Sequence, residues 1–305
     1  MPASVIVPAL APAVVLLTTL LAAPVAPALS EDPFPPHRIA DNLYYVGSKG
    51  LASFLVTTSK GHILINPSFE STVPLIRRNV EQLGFKFTDI KILLNSHAHD
   101  DHVGGMALAR QLTGADVYVM RGDEKDVERG GSAGQAKHPW KPAPVKRVLE
   151  DGDTVRLGEV TLTARRTPGH TPGCTTWTMK ARLGGASRDA ADVVIVGSPN
   201  VNPNYRLVAP AKTAPSDVFY YPEIASDYEK SFRLWKSLPC QIFLGAHGNY
   251  YGLEAKYQRW AAGDTRAFID PAGYQAYIAE REQAFRQKLA EQRAEAGRAS
   301  PPPQN

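Results

Sequence analysis

Beyond residue 40 the chain alternates short apolar runs with polar, glycine-bearing turns. Residues 43–46, 52–57 and 62–65 are three such runs, with Ser59-Lys60-Gly61 turning between the last two, and they predict consecutive antiparallel strands. The period then changes. Val73, Ile76, Val80 and Leu83 fall on one side of a helix over residues 72–83, with Pro74 in its first turn and Gly84 closing it. Residues 90–94 form a strand, apolar except for Lys91; residues 104–112 follow as a helix and 117–120 as a strand. Further on, 160–164, 175–179, 193–196 and 242–244 read as strands, and 228–238, 254–262 and roughly 273–296 as helices. Residues 130–144, with three glycines and three prolines, have no period and form either a surface loop or a flap. Strands open each half and helices follow, which predicts two sheets packed face to face with helices outside, in one domain.

Both ends of the chain leave this pattern. Residues 5–25 are uncharged and almost wholly apolar, and Ala26-Pro27-Ala28 has the small-x-small character of an export cleavage site, although no Lys or Arg precedes the run. Pro8, Pro12 and Pro24 leave a proline-free core too short for a membrane span. Residues 1–28 are therefore expected to be a signal peptide directing the chain to the periplasm. Residues 29–296 are expected to be a single domain ending in a long helix, and 297–305 a disordered tail. The balance of 34 Lys+Arg against 30 Asp+Glu gives a formal charge of +4. The basic pairs Arg77-Arg78, Lys146-Arg147 and Arg165-Arg166 are scattered, so a nucleic-acid partner is not expected; nor is stable membrane association. Cys174 and Cys240 allow at most one disulfide.

Chemistry concentrates beyond the strand at 90–94. Asn95-Ser96-His97-Ala98-His99-Asp100-Asp101-His102 holds three histidines and two aspartates, and His170 and His247 sit in glycine-flanked turns after later strands. His97 and His99 alternate and can face one metal if the backbone stays extended. Asp101 and His102 are adjacent, which favours their serving a second metal. His170 and His247 are the candidates for the remaining ligand of each, and Asp100 would point away. Six imidazole and carboxylate groups are too many for one tetrahedral ion and suit two open zinc sites, so two Zn²⁺ are the expected cofactors.

The string His97-x-His99-x-Asp101-His102, followed by His170 and His247, resembles the metallo-β-lactamase superfamily and, in detail, its subclass B3. The likeness runs from about residue 39 to 290. It implies an α/β chain (α+β in some schemes) folded as a four-layer αβ/βα sandwich, with His97, His99 and His170 on the first zinc and Asp101, His102 and His247 on the second. Many superfamily members carry a metal-bridging aspartate where this chain has Ser198, in Gly197-Ser198-Pro199; its absence resembles the β-lactamase branch, as does the stretch 201–207. The implied activity is hydrolysis of the β-lactam amide of penicillins, cephalosporins and carbapenems by a metal-bound hydroxide, giving antibiotic resistance. A lactonase, thiolesterase or phosphodiesterase of the same superfamily is the alternative, and a zinc-storing or structural protein the reading from another class. Asp101 would orient the nucleophile and carry a proton, and Tyr205 would help hold the oxyanion. Ser198 and Asn200 would meet the substrate carboxylate, unless they are only a polar turn. Trp140 with His138 would form an apolar lip over the substrate, unless the indole packs back against a helix. The expected partner is a small β-lactam, bound by a monomer. Relatives pair cysteines at the places of Cys174 and Cys240 with positions near Gly197 and Tyr274, which are not cysteine here; both thiols are expected to be free.

Overall fold

The computed structural model describes residues 1, 31–131, 139–183, 190–211, 214–215 and 217–299. Residues 2–28 of the expected signal segment, His138 and residues 300–305 lie outside the described residues.

Seven strands form the first sheet in sequence order: β1 (His37–Ala40), β2 (Leu43–Tyr45), β3 (Phe54–Thr58), β4 (Gly61–Ile65), β5 (Ile90–Leu94), β6 (Asp116–Met120) and β7 (Arg147–Leu149). β1 to β4 pair antiparallel and β4 to β7 parallel. The second sheet is built from β8 (Thr154–Leu157), β9 (Val160–Arg166), β10 (Thr175–Arg182), β11 (Ala190–Val196) and β12 (Ile242–Gly245), in the order β12-β11-β10-β9-β8. Only β11 and β12 run parallel there.

The first sheet is apolar on both faces because helices cover one face and the second sheet covers the other. Side chains alternate along a strand, so successive residues go to opposite cores. Ile63 and Ile65 of β4 and Ile92 and Leu94 of β5 enter the inter-sheet core beside Leu162, Trp177 and Ile195. Leu64 and Leu93 point the other way, beneath α1 (Val73–Gln82). α2 (Asp100–Val103) follows β5, and α3 (Met106–Thr113) adds Met106 and Ala109 to that outer core. α4 (Glu124–Arg129) follows β6. On the far side α5 (Ile224–Ser237), α6 (Leu253–Ala261) and α7 (Pro271–Ala299) complete the layers, with Phe232, Trp235, Tyr274 and Phe285 buried against the second sheet. The result is the expected four-layer αβ/βα sandwich. Among the described residues no helix is long and apolar enough to cross a membrane.

Two boundaries differ from expectation. The helix expected over 104–112 is α3, and a further short helix, α2, precedes it, the two parted at Gly104-Gly105, where Gly105 N–H donates to the Ser68 carbonyl at 2.6 Å. α7 continues to Ala299, so residues 297–299 are helical and not part of a tail.

Candidate metal centre

Four chain segments meet at one edge of the sandwich, each leaving the end of a strand. Residues 95–102 follow β5, the turn 167–174 joins β9 to β10, residues 197–200 follow β11, and His247 lies two residues beyond β12. His247 also forms an isolated bridge to Leu51, in the connection from β2 to β3, closing the edge.

The loop after β5 is held by hydrogen bonds at nearly every step. Ser96 N–H donates to Asn66 Oδ1 at 2.7 Å, and Asn66 Nδ2 donates to Ser96 Oγ at 2.9 Å. From the second sheet, Thr175 N–H reaches the Ser96 carbonyl at 2.7 Å and the Trp177 indole reaches the Asn95 carbonyl at 3.0 Å. Ala98 N–H donates to Asp123 Oδ2 at 2.8 Å. Asp123, fully buried, also accepts from Thr171 Oγ1 at 2.8 Å and from Gly173 N–H at 2.7 Å. Burial pushes its carboxyl up to about 7, although these three donors pull the other way.

His99 remains extended at φ −113°, ψ 155°, but the chain turns helical at Asp100. The backbone is thus extended at His99, as the alternation of His97 and His99 requires, whereas Asp100, expected in an extended segment, opens a helix. The helical turn is what lets the neighbours Asp101 and His102 approach each other, Oδ2 to Nε2 at 3.2 Å. Asp100 belongs to neither metal-competent cluster, as expected.

His97, His99 and His170 bring ligand atoms within 4.8 Å of one another, and so do His97, Asp101 and His102. His247 joins the second group, its Nε2 lying 3.2 Å from His102 Nε2 and 3.6 Å from Asp101 Oδ2. His97 stands between the groups, its ring centroid 4.2 Å from that of His102 and 4.5 Å from that of His170. All six residues are buried.

Burial, and after it the surrounding imidazoles, hold His97 and His99 well below the usual histidine range. Burial brings His170 down to about 4 and His247 to about 3. These four rings are thus neutral at pH 7, the form that binds metal. For Asp101, burial alone would raise the pKa, but His102, His247 and His99 outweigh it and hold the carboxylate ionised.

The residues fit a pair of metal ions. His170 Nε2 lies 3.1 Å from His99 Nδ1, and His102 and His247 meet nitrogen to nitrogen at 3.2 Å. For His99 and His170, both neutral, lone pairs at that range repel unless a proton or a cation stands between them. Two nitrogens bound at about 2.05 Å to a tetrahedral ion are about 3.3 Å apart, close to these spacings.

Tautomers are set from behind. His170 Nδ1–H donates to the Asn200 carbonyl at 2.8 Å, leaving Nε2 for the cluster. The Tyr205 hydroxyl donates to the His170 carbonyl at 2.7 Å and lies 3.3 Å from His99 Nε2, which leaves His99 Nδ1 facing the cluster. Tyr205 is buried, and burial raises its pKa well above the ordinary phenol value. The expected oxyanion role is therefore corrected: this hydroxyl is committed to two ligand residues and positions them.

Two other expectations change, those for Ser198 and Trp140. Ser198 is fully buried, its Oγ 3.1 Å from the Tyr250 hydroxyl, so it braces the site and does not face substrate. Asn200 stays partly exposed and donates Nδ2 to Tyr250 at 2.9 Å. Trp140 is buried beside the α1–α3 core, its backbone N–H bonded to the Gly130 carbonyl; the indole packs inward and forms no lip. The cysteines are free, Cys174 buried and Cys240 partly so. A Cβ at Gly197 would lie 2.8 Å from Cys174 Sγ, so glycine leaves the thiol room without a partner.

Sequence reasoning missed Asn66, Asp123 and Tyr250. Asn66 and Asp123 follow β4 and β6, at the same sheet edge as the ligands, and that position was the available signal. Tyr250 carries no such mark beyond standing three residues after His247.

Residues 50–182 match the family described as the metallo-beta-lactamase superfamily. The structure is similar to native FEZ-1 metallo-beta-lactamase from Legionella gormanii, with 43% identity, 87% of this chain and 98% of that one covered, and a TM-score of 0.80. It is also similar to BJP-1, a subclass B3 metallo-beta-lactamase of Bradyrhizobium japonicum, with 35% identity, 89% and 100% coverage and a TM-score of 0.79. Among curated relatives, human mitochondrial persulfide dioxygenase ETHE1 is 27% identical over 207 residues, 63% of this chain and 72% of that protein. Several others are matched over less than half of their own length. With two metal-competent groups and His247 gathered at one sandwich edge, and this likeness over most of its length, the chain belongs to the metallo-β-lactamase superfamily, within subclass B3.

Proposed function

We propose that the chain hydrolyses the β-lactam amide of penicillins, cephalosporins and carbapenems with two zinc ions, and so confers antibiotic resistance. His97, His99 and His170 would hold one zinc and Asp101, His102 and His247 the other. The observation that carries the reading is the end of β11. Ser198 stands there, beside two clusters whose one carboxylate is Asp101. Zinc in such a centre supplies a water of lowered pKa and an electrophile for the carbonyl.

The chain's own groups do the rest. Asp101 Oδ2, held ionised, accepts a hydrogen bond from the attacking water and relays its proton toward the departing lactam nitrogen. Asn200 Nδ2 has a second N–H beyond the one given to Tyr250, and donates it to the substrate carboxylate. Tyr205 and the Asn200 carbonyl keep His99 and His170 aimed through the reaction cycle. The apolar segment 5–25 supports export to the periplasm, which fractionation of expressing cells tests.

The decisive experiment is hydrolysis of a cephalosporin and a carbapenem by purified protein, with and without a chelator. Chelator-sensitive turnover is expected. No β-lactam turnover with two equivalents of zinc bound would overturn the reading, and faster lactone or thiolester turnover would replace it with the alternative.

A further inference from the structure

Asp123 lies outside the ligand set, yet its one carboxylate touches both loops that carry the first set. Oδ2 takes Ala98 N–H at 2.8 Å, between His97 and His99, and Thr171 Oγ1 at 2.8 Å, next to His170. Oδ1 takes Gly173 N–H at 2.7 Å. The residue is fully buried, so nothing else can serve these donors. The packing is close enough to exclude any side chain on the facing turn. A Cβ at Gly173 would stand 2.6 Å from Asp123 N and 2.7 Å from its Cβ, which accounts for the second glycine of Thr167-Pro168-Gly169-His170-Thr171-Pro172-Gly173.

Two loops, whose His99 and His170 are 71 residues apart in the chain, would otherwise set the spacing of His97 and His99 against His170 independently. We propose that Asp123 is the positioning residue that fixes this spacing and thereby sets the affinity of the His97/His99/His170 site for its metal. The inference rests on that ligand set and not on the substrate. Bonds from neutral donors to a buried carboxylate are stronger than neutral pairs, and three of them converge here. Asparagine at this position keeps the shape but replaces one accepting oxygen with an NH₂, which would face an N–H or hydroxyl donor.

The test is metal titration of purified, metal-free Asp123→Asn with cobalt(II), following the visible absorption of each equivalent, alongside apo-protein unfolding. The expected result is at least a tenfold weaker equivalent at the three-histidine site and an altered absorption band, with the Asp101/His102/His247 equivalent within twofold of the parent. Thr171→Val, which removes one of the three bonds without changing shape, should weaken the same equivalent about threefold, and it remains informative if the asparagine variant does not fold. A variant less stable as apo-protein but with both cobalt affinities and spectra of the parent would overturn the proposal and leave Asp123 a fold residue. Because β-lactam turnover is not read, failure of the proposed substrate would leave this outcome untouched.

Discussion

Tyr205→Phe separates positioning from oxyanion stabilisation. The substitution keeps the ring, which packs 4.6 Å from Phe219 and 5.7 Å from His170, and removes only the hydroxyl. That hydroxyl makes two contacts, to the His170 carbonyl at 2.7 Å and to His99 Nε2 at 3.3 Å. Leaving a buried group without its partner costs about 1–3 kcal/mol, and a net neutral bond is worth about 1 kcal/mol, so about 2–4 kcal/mol is at stake over both. Part of this falls on the apo-fold. The remainder appears as loss of orientation in two ligands of one metal, and loss of such a supporting partner typically weakens metal binding about 10–100-fold. A group that stabilises the oxyanion directly would instead cost about 10²–10³ in kcat with metal content unchanged. The assay is therefore zinc affinity by competition with a chromophoric chelator, followed by kcat at saturating zinc. Weaker zinc binding with kcat within about fivefold of the parent is expected. Parent-like zinc affinity with a hundredfold fall in kcat would refute the positioning argument and restore the oxyanion role.

Asp101→Asn should weaken the second metal and lower kcat by well over tenfold at saturating zinc, since positioned acid–base groups typically supply about 10²–10⁴-fold; a kcat within twofold of the parent would show that Asp101 carries no proton. Gln292 on α7 accepts Leu207 N–H at 2.6 Å and donates to the Tyr205 carbonyl at 2.9 Å, while buried. Gln292→Leu should cost about 2–4 kcal/mol in urea unfolding, and a loss under 0.5 kcal/mol would mean these bonds are replaced by others. His37 is enclosed by Phe34, Tyr45, Tyr257, Trp260 and Phe268, and burial lowers its pKa from 6.5 to about 4. The unfolded chain then binds the extra proton between these values, so stability rises with pH across the window from about 4 to 6.5, by about 3 kcal/mol from this residue. His37→Phe should flatten that part of the pH–stability curve, and an unchanged slope would assign it elsewhere.

The strands were legible where both faces are apolar. β3, β4 and β5 run as Val/Ile/Leu segments because helices cover one face and the second sheet the other, and such segments need no knowledge of their neighbours. β7 and β8 were not legible. Arg147-Val148-Leu149 and Thr154-Val155-Arg156-Leu157 are short edge strands, each with polar residues enough to read as loop. The ligands were legible for a different reason: four of the six lie within six residues, so chemistry that usually disperses through a fold is compressed into one loop.

What surrounds the ligands was hidden because it depends on pairs far apart in sequence. Ser198 looks like a substrate-facing hydroxyl until Tyr250, 52 positions on, is placed against it. Tyr205 has the same history: its role follows from the His170 carbonyl, 35 residues earlier, and from His99, 106 residues earlier. Asp123 follows a strand like every ligand, yet it differs from them in what meets it. Its oxygens are filled by Ala98, Thr171 and Gly173, whereas Asp101 is surrounded by imidazoles. A carboxylate with backbone and hydroxyl donors on both oxygens holds a loop; one ringed by imidazoles shares its place with groups that can bind the same cation. Residue type and strand position are alike in the two cases, so only the identity of the contacting atoms separates support from ligand.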